Sequence, residues 1–148
     1  MSQPLILNDR FDLPVWSTAG KTGSRFLTEL RDNKRIMGLK CSKCNKVYVP
    51  PKSICTCYEQ LDDWVEVSTE GILTACTIVN HEYSDFYQPK KVPYGIGIIK
   101  LDGATTGFCH FIDEVDSSKL KIGQRVRAVF KENREASILD IDHFEVIS

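Results

Sequence analysis

The sequence has no run approaching the eighteen or so apolar residues that a membrane span requires. Its first dozen residues are polar around a short Leu5-Ile6-Leu7 run, without the basic start and long apolar stretch of a secretory signal. Both absences point to a cytoplasmic protein, where reduced thiols favour metal ligation over disulfides. Net charge is nearly absent as well: nineteen Lys and Arg meet twenty Asp and Glu, a formal balance of −1. Histidine is scarce, and none of the three has metal or triad spacing. Cys109-His110 sets a nucleophile beside a base, but neighbours on a strand point to opposite faces and cannot hydrogen-bond. Cys76 stands among apolar residues of a strand and reads as a small core filler. A pair drawn from two strands, such as Cys76 with His143, stays open. No catalytic residue is assigned.

What the sequence does have is cysteine in an ordered place. Cys41, Cys44, Cys55 and Cys57 fall within seventeen residues, as two pairs separated by a ten-residue spacer. A tetrahedral zinc ion takes four soft ligands at about 2.3 Å, and two facing turns can supply them. The first pair has the usual C-x-x-C spacing, while the second, Cys55-Thr56-Cys57, is one residue tighter. All four are expected to hold a structural zinc, since four thiolates leave no open position for water or substrate. Two disulfides, or cysteines that merely fill a core, are the alternatives.

At 148 residues the chain is one domain, or a small domain with an appended module. A chain of this size buries roughly 68–70% of its unfolded surface, enough for one core. Charge is unevenly spread along it. Residues 21–52 hold nine basic and two acidic side chains, a balance of +7, and residues 53–148 hold nine basic and sixteen acidic, a balance of −7. A basic front on an acidic body fits a polyanionic partner, either coenzyme A or nucleic acid.

Residues 1–20 carry Pro4, Pro14 and seven large apolar residues without a clean period, so they read as an extended arm. The arm either docks on another molecule or wraps its own body. Ser24 is placed as the N-cap of a short helix reaching Asp32, with Phe26, Leu27 and Leu30 on one face. Residues 35–40 form a strand entering the first knuckle. Strands then follow at 64–68, 72–79, 94–101, 105–112, 122–130 and 138–147, by alternation and branched content. Asp102-Gly103 marks a hairpin, and residues 113–120 a connecting loop. The fold class expected is mainly β: an N-terminal arm and helix (1–37), a zinc ribbon (38–62), and a five-stranded barrel (63–148). Periodicity leaves an OB barrel, an SH3-like barrel and a small sandwich undecided.

The order of these pieces resembles the acyl-CoA-associated OB-fold proteins with a rubredoxin-like zinc ribbon. The residues that carry it are 26–30, Cys41, Cys44, Tyr48-Val49-Pro50-Pro51, Cys55, Cys57 and 64–68. Gly71, Tyr94 through Asp102-Gly103, Ile122-Gly123, Val126 and Phe130 complete it, so that it spans residues 24–131. Two positions depart: the second knuckle is C-x-C, and Asn45 stands where the family has glycine, although Asn also tolerates positive φ. The resemblance implies an OB-fold barrel in a non-catalytic accessory subunit of an acyl-CoA enzyme complex. A thiolase is the first partner it implies, and an acyl-CoA hydratase the alternative. It further implies scaffold and CoA-ester contacts; in such a complex the apolar arm and helix face, with Trp16, Phe26, Leu27 and Leu30, are expected to meet the partner, and the basic Lys90 and Lys91 to meet CoA phosphates. Nucleic-acid binding remains the competing class, favoured by the loop aromatics Tyr83, Phe86 and Tyr87 and opposed by the acidic barrel.

Overall fold

The computed structural model of the protein describes residues 14–82 and 89–147. The first long element is a helix, α1, over Gly20–Asn33. It starts four residues before the expected N-cap at Ser24: Ala19 holds the N-cap position without a side-chain cap, and the Thr18 hydroxyl oxygen accepts the Gly20 N–H at 3.1 Å. Lys34 ends it at φ 53, in the left-handed region, with its N–H donated to Glu29 O. Glu29 pins that end further, accepting from Asn33 Nδ2 at 2.7 Å and from the Arg35 guanidinium at 2.8 Å. The Asn33 amide foremost, then Arg35, hold its carboxyl below the usual carboxylate range.

Three short strands follow: β1 (Ile36–Lys40), β2 (Val47–Tyr48) and β3 (Asp63–Val67). They form an antiparallel sheet in the order β2-β1-β3. The strand at 64–68, expected to open the barrel, is thus the third strand of the ribbon sheet, with Leu39 facing Trp64 and Ile36 facing Val67. Alternation marks a half-buried strand without naming its neighbour.

The remaining strands are β4 (Glu70–Val79), β5 (Tyr94–Leu101), β6 (Phe108–Ile112), β7 (Arg125–Phe130) and β8 (Ile141–Ile147). They close a barrel in the order β4-β5-β6-β8-β7, β7 returning to pair with β4. Every contact is antiparallel except β6 with β8, which is parallel at Ile112 and Phe144. A five-stranded barrel of this order is the OB architecture, so pairing decides what periodicity left open. Glycine permits the closure at two places. A Cβ on Gly71 would lie 2.4 Å from the Lys100 carbonyl oxygen, and one on Gly97 would lie 2.3 Å from an Ile112 methyl.

Three element boundaries differ from the sequence pattern. Thr105 and Thr106 sit before β6, because their hydrogen bonds go to the ribbon: the Thr105 hydroxyl accepts from Val47 N–H, and the Thr106 hydroxyl accepts from Val49 N–H. Ile122 and Gly123 precede β7 in a turn, with Gly123 at φ 91. Residues 138–140 form a 3-10 turn ahead of β8, capped by Ser137 and held by buried Asp140, which accepts from Glu135 and Ser137 N–H groups. The Asp102-Gly103 turn is present, closed by Ala104 N–H to Leu101 O at 3.0 Å.

One core runs through both sheets. Phe26 and Leu30 of α1, Ile36 and Met37 of β1, and Val47 and Val49 of the ribbon join Leu73, Ile99, Val126, Ile141 and Phe144 of the barrel. A smaller cluster of Leu39, Tyr48 and Leu61 packs around Cys41 and Cys55. No helix among the described residues is long and apolar enough to cross a membrane.

Candidate metal centre and docking residues

Cys41 follows β1 directly, and the next turn folds back on it: Asn45 N–H donates to Cys41 O and Cys41 N–H to Lys46 O, both at 2.8 Å. Asn45 takes φ 57, the conformation that suits asparagine where glycine is absent. The second knuckle is closed by Cys55 N–H to Glu59 O at 2.8 Å and Tyr58 N–H to Cys55 O at 3.0 Å. Tyr58, at φ 65, makes the sharp turn that a C-x-C pair needs.

These two turns bring the four sulfurs together. Cys41 and Cys57 are 3.6 Å apart, Cys44 and Cys55 3.4 Å, and Cys44 and Cys57 3.9 Å, with all four ligand atoms within 4.8 Å of one another. A tetrahedron with metal–sulfur bonds of about 2.3 Å has edges of about 3.8 Å, so the cluster could hold a metal ion at its centre. All four are free thiols, at separations far beyond the roughly 2.05 Å of a disulfide.

The thiols share their protons unevenly. Burial opposes a charge on Cys55, but the Cys57 N–H, the Tyr48 hydroxyl and the Cys57 and Cys44 thiols outweigh it and lower its pKa from 9.0 to about 5. Cys57 moves the other way, to about 12, because its hydrogen bond with Cys55 favours the protonated form. At Cys44 the Lys46 N–H favours the thiolate, yet burial and the Cys55 and Cys41 thiols prevail and raise it. A divalent cation would displace the remaining protons, since the thiolate is the ligand.

The other singled-out residues fall in several places. Phe26 and Leu30 are 3% and 0% exposed inside the chain's own core, so the helix face expected to meet a partner is spent on β1, β2 and the barrel. Leu27 is partly buried against the same core. Trp16 is 89% exposed beside exposed Val15, while residues 1–13 of the arm lie outside the described residues. Cys109 is exposed and His110 buried, on opposite faces of β6 as strand geometry requires. Cys76 packs partly buried against the core, and neither cleft it lines includes a histidine; His143 pairs with Asp142 at 2.8 Å.

Sequence reasoning missed the outer barrel wall. Outward residues of β5 and β6, chiefly Ile96, Ile98 and Cys109, leave an open apolar cleft of about 340 Å³. A second cleft, about 250 Å³, adjoins it between Phe111 and Leu139, with Pro89 at its edge. The apolar outward positions of two strands were the available signal. Beside Pro89, Lys90 Nζ lies 4.7 Å over the Phe111 ring and 3.4 Å from Asp142 O, and Lys91 is exposed. Tyr83, Phe86 and Tyr87 lie outside the described residues.

A four-cysteine ribbon packed on an OB barrel defines a class of two-part zinc-ribbon-like proteins, and the comparisons with known proteins fall within it. Residues 64–131 match the family described as ChsH2, C-terminal OB-fold domain. The chain is 27% identical over 108 residues to a DUF35 domain-containing scaffold protein of Methanocaldococcus jannaschii, covering 72% of this chain and 74% of that one. Among solved structures it is similar to a DUF35-family protein of unknown function from Sulfolobus solfataricus, with TM-score 0.61 and 23% identity over 86% of this chain and 84% of that one. It is also similar to the Ltp2-ChsH2(DUF35) aldolase, with TM-score 0.59 and 19% identity over 83% and 91%. The resemblance read from the sequence is therefore borne out.

Proposed function

We propose that this chain is a non-catalytic accessory subunit that scaffolds an acyl-CoA-processing enzyme, with a thiolase as the first partner class and an acyl-CoA hydratase as the second. The observation that carries the reading is the ribbon joined to an OB barrel through one core, in a chain similar to a DUF35 scaffold protein. The fold neighbour named as an aldolase assembly supports an enzyme partner that makes or breaks carbon–carbon bonds. The ion is zinc: four thiolates in a tetrahedron are the soft, closed set that zinc takes in structural sites. Its work is to hold the two knuckles together.

CoA esters are the small-molecule ligands of the complex. Lys90, over the Phe111 ring at the apolar cleft edged by Pro89, and the exposed Lys91 next to it in sequence support a reading in which cations meet phosphate beside a wall for an acyl or thiol arm. Trp16, exposed before α1, is the docking residue that the chain's own core leaves outside. The test is co-purification from the native cell, with the partner identified by mass spectrometry. The Trp16→Ala chain should recover far less partner while keeping its metal and melting temperature. Equal recovery would remove Trp16 from the interface, and no co-purifying CoA-ester enzyme would sink the reading.

A further inference from the structure

The second knuckle has one residue between its cysteines where the first has two. Three sulfurs receive an N–H from two positions ahead: Cys44 from Lys46, Cys55 from Cys57, and Cys57 from Glu59. Cys55 also meets a side chain from outside the knuckle. The Tyr48 hydroxyl lies 3.2 Å from Cys55 Sγ, with the tyrosine 5% exposed.

We infer that Tyr48 is a positioning residue for the metal: its hydroxyl donates to the Cys55 thiolate and fixes the orientation of that sulfur from outside the tight second knuckle. Three features support the direction of that bond. The Tyr48 oxygen is 3.3 Å from the Thr56 N–H that donates to it and 3.1 Å from the Thr56 hydroxyl. With the Thr56 N–H donating to its oxygen, the phenol hydrogen is free to point at sulfur. A metal-bound thiolate offers acceptor lone pairs and no proton, so the hydroxyl is the donor of the pair. Lys52 Nζ sits 4.0 Å over the Tyr48 ring, and a cation on the ring face draws electron density away and sharpens the O–H donor.

Its place in the fold fits the role. Tyr48 ends β2 and pairs with Leu39 of β1, the strand that runs into Cys41. The side chain therefore reaches from the strand pair carrying the first knuckle to the sulfur of the second. Outer-shell partners of this kind fix ligand orientation, and their loss typically costs about 10–100-fold in metal affinity.

The inference rests on the four-cysteine metal reading, and the two can fail separately. The experiment titrates Co2+, then Zn2+, into metal-stripped full-length chain with a competing chelator, for wild type, Tyr48→Phe and Thr56→Val. Phenylalanine keeps the ring and its packing, so a merely structural role would leave the metal's spectrum unmoved. Wild type should show the visible bands of tetrahedral cobalt and a thiolate-to-cobalt charge-transfer band. Tyr48→Phe should shift that charge-transfer band and bind Zn2+ about 10–100-fold more weakly. Thr56→Val keeps the Tyr48–Cys55 bond and should stay within a few-fold of wild type. Tyr48→Phe with wild-type affinity and spectrum overturns the inference. So does a Thr56→Val loss as large as that of Tyr48→Phe, since the hydroxyl would then serve the turn and not the sulfur. Wild type that takes up no metal at all sinks the metal reading itself.

Discussion

His110 sits on the inner face of β6, 5% exposed, with its Nε2–H donated to the Ile138 carbonyl at 3.2 Å. The rings of Phe108, Phe111 and Phe144 surround it edge-on. Burial foremost holds its pKa below the ordinary 6.5; the Lys90 charge acts in the same direction, and the Ile138 and Phe111 backbone and Asp142 act against it. A depressed histidine pKa means the unfolded chain binds the proton more readily, so stability is fully present above about 6.5 and is lost as pH falls through and below that value. Urea midpoints measured from pH 7.5 down to 5.0 should therefore fall for the wild type. They should fall less for His110→Gln, which keeps a donor for Ile138 and cannot charge; parallel curves would refute the assignment. Phe26 makes the opposite point about exposure. Phe26→Ala should destabilise the isolated chain by about 3–5 kcal/mol as a core truncation, whereas Trp16→Ala should stay within about 0.5 kcal/mol. The i, i+4 spacing of Phe26 and Leu30 made that face legible in the sequence. What covers it was not, because a period identifies a face and says nothing of its neighbour.

At the scale of elements, the strands were legible and their pairing was not. Residues 64–68 alternate as any half-buried strand does, and only β1 beside it shows that it closes the ribbon sheet. Thr105 and Thr106 are good strand formers, but their side chains bind β2 and Val49 instead of extending β6. The cysteine pairs were legible because short-range spacing determines which sulfurs can meet. The outer cleft was not, since it depends on β5 and β6 lying side by side. The two threonines form the joint between ribbon and barrel, with three side-chain hydrogen bonds to Val47 and Val49 and a fourth bond from Thr105 N–H to Val47 O. At roughly 1 kcal/mol per side-chain hydrogen bond, Thr105→Ala with Thr106→Ala should cost about 1–3 kcal/mol. Amide exchange at Val47 and Val49 should quicken while β7 and β8 stay protected; unchanged exchange at those two amides would show that the joint lies elsewhere.

Taken whole, the molecule couples its four-cysteine cluster to its barrel. The strand that leads into Cys41 lends Ile36 and Met37 to the same core as Leu73 and Phe144. Structural zinc in such sites is worth on the order of 10–16 kcal/mol of folding energy. Untagged protein should contain one zinc per chain, and chelation should lower the melting temperature of barrel and ribbon together; less than half an equivalent, with oxidised cysteines, would favour disulfides. On the proposed reading, the basic segment 21–52 would serve a partner enzyme or CoA. Binding to generic single strands should accordingly be weak at physiological salt, without the steep salt dependence of many released counterions. The central claim is that the chain works only as part of an enzyme assembly. Native mass spectrometry of complexes drawn from the source cell, with acyl-CoA turnover assayed on the free chain and the assembly, tests it most directly. A zinc-loaded hetero-oligomer should carry all of the turnover, and the free chain should be inert. A free chain that turns over acyl-CoA esters, or one found only by itself, would contradict the central claim.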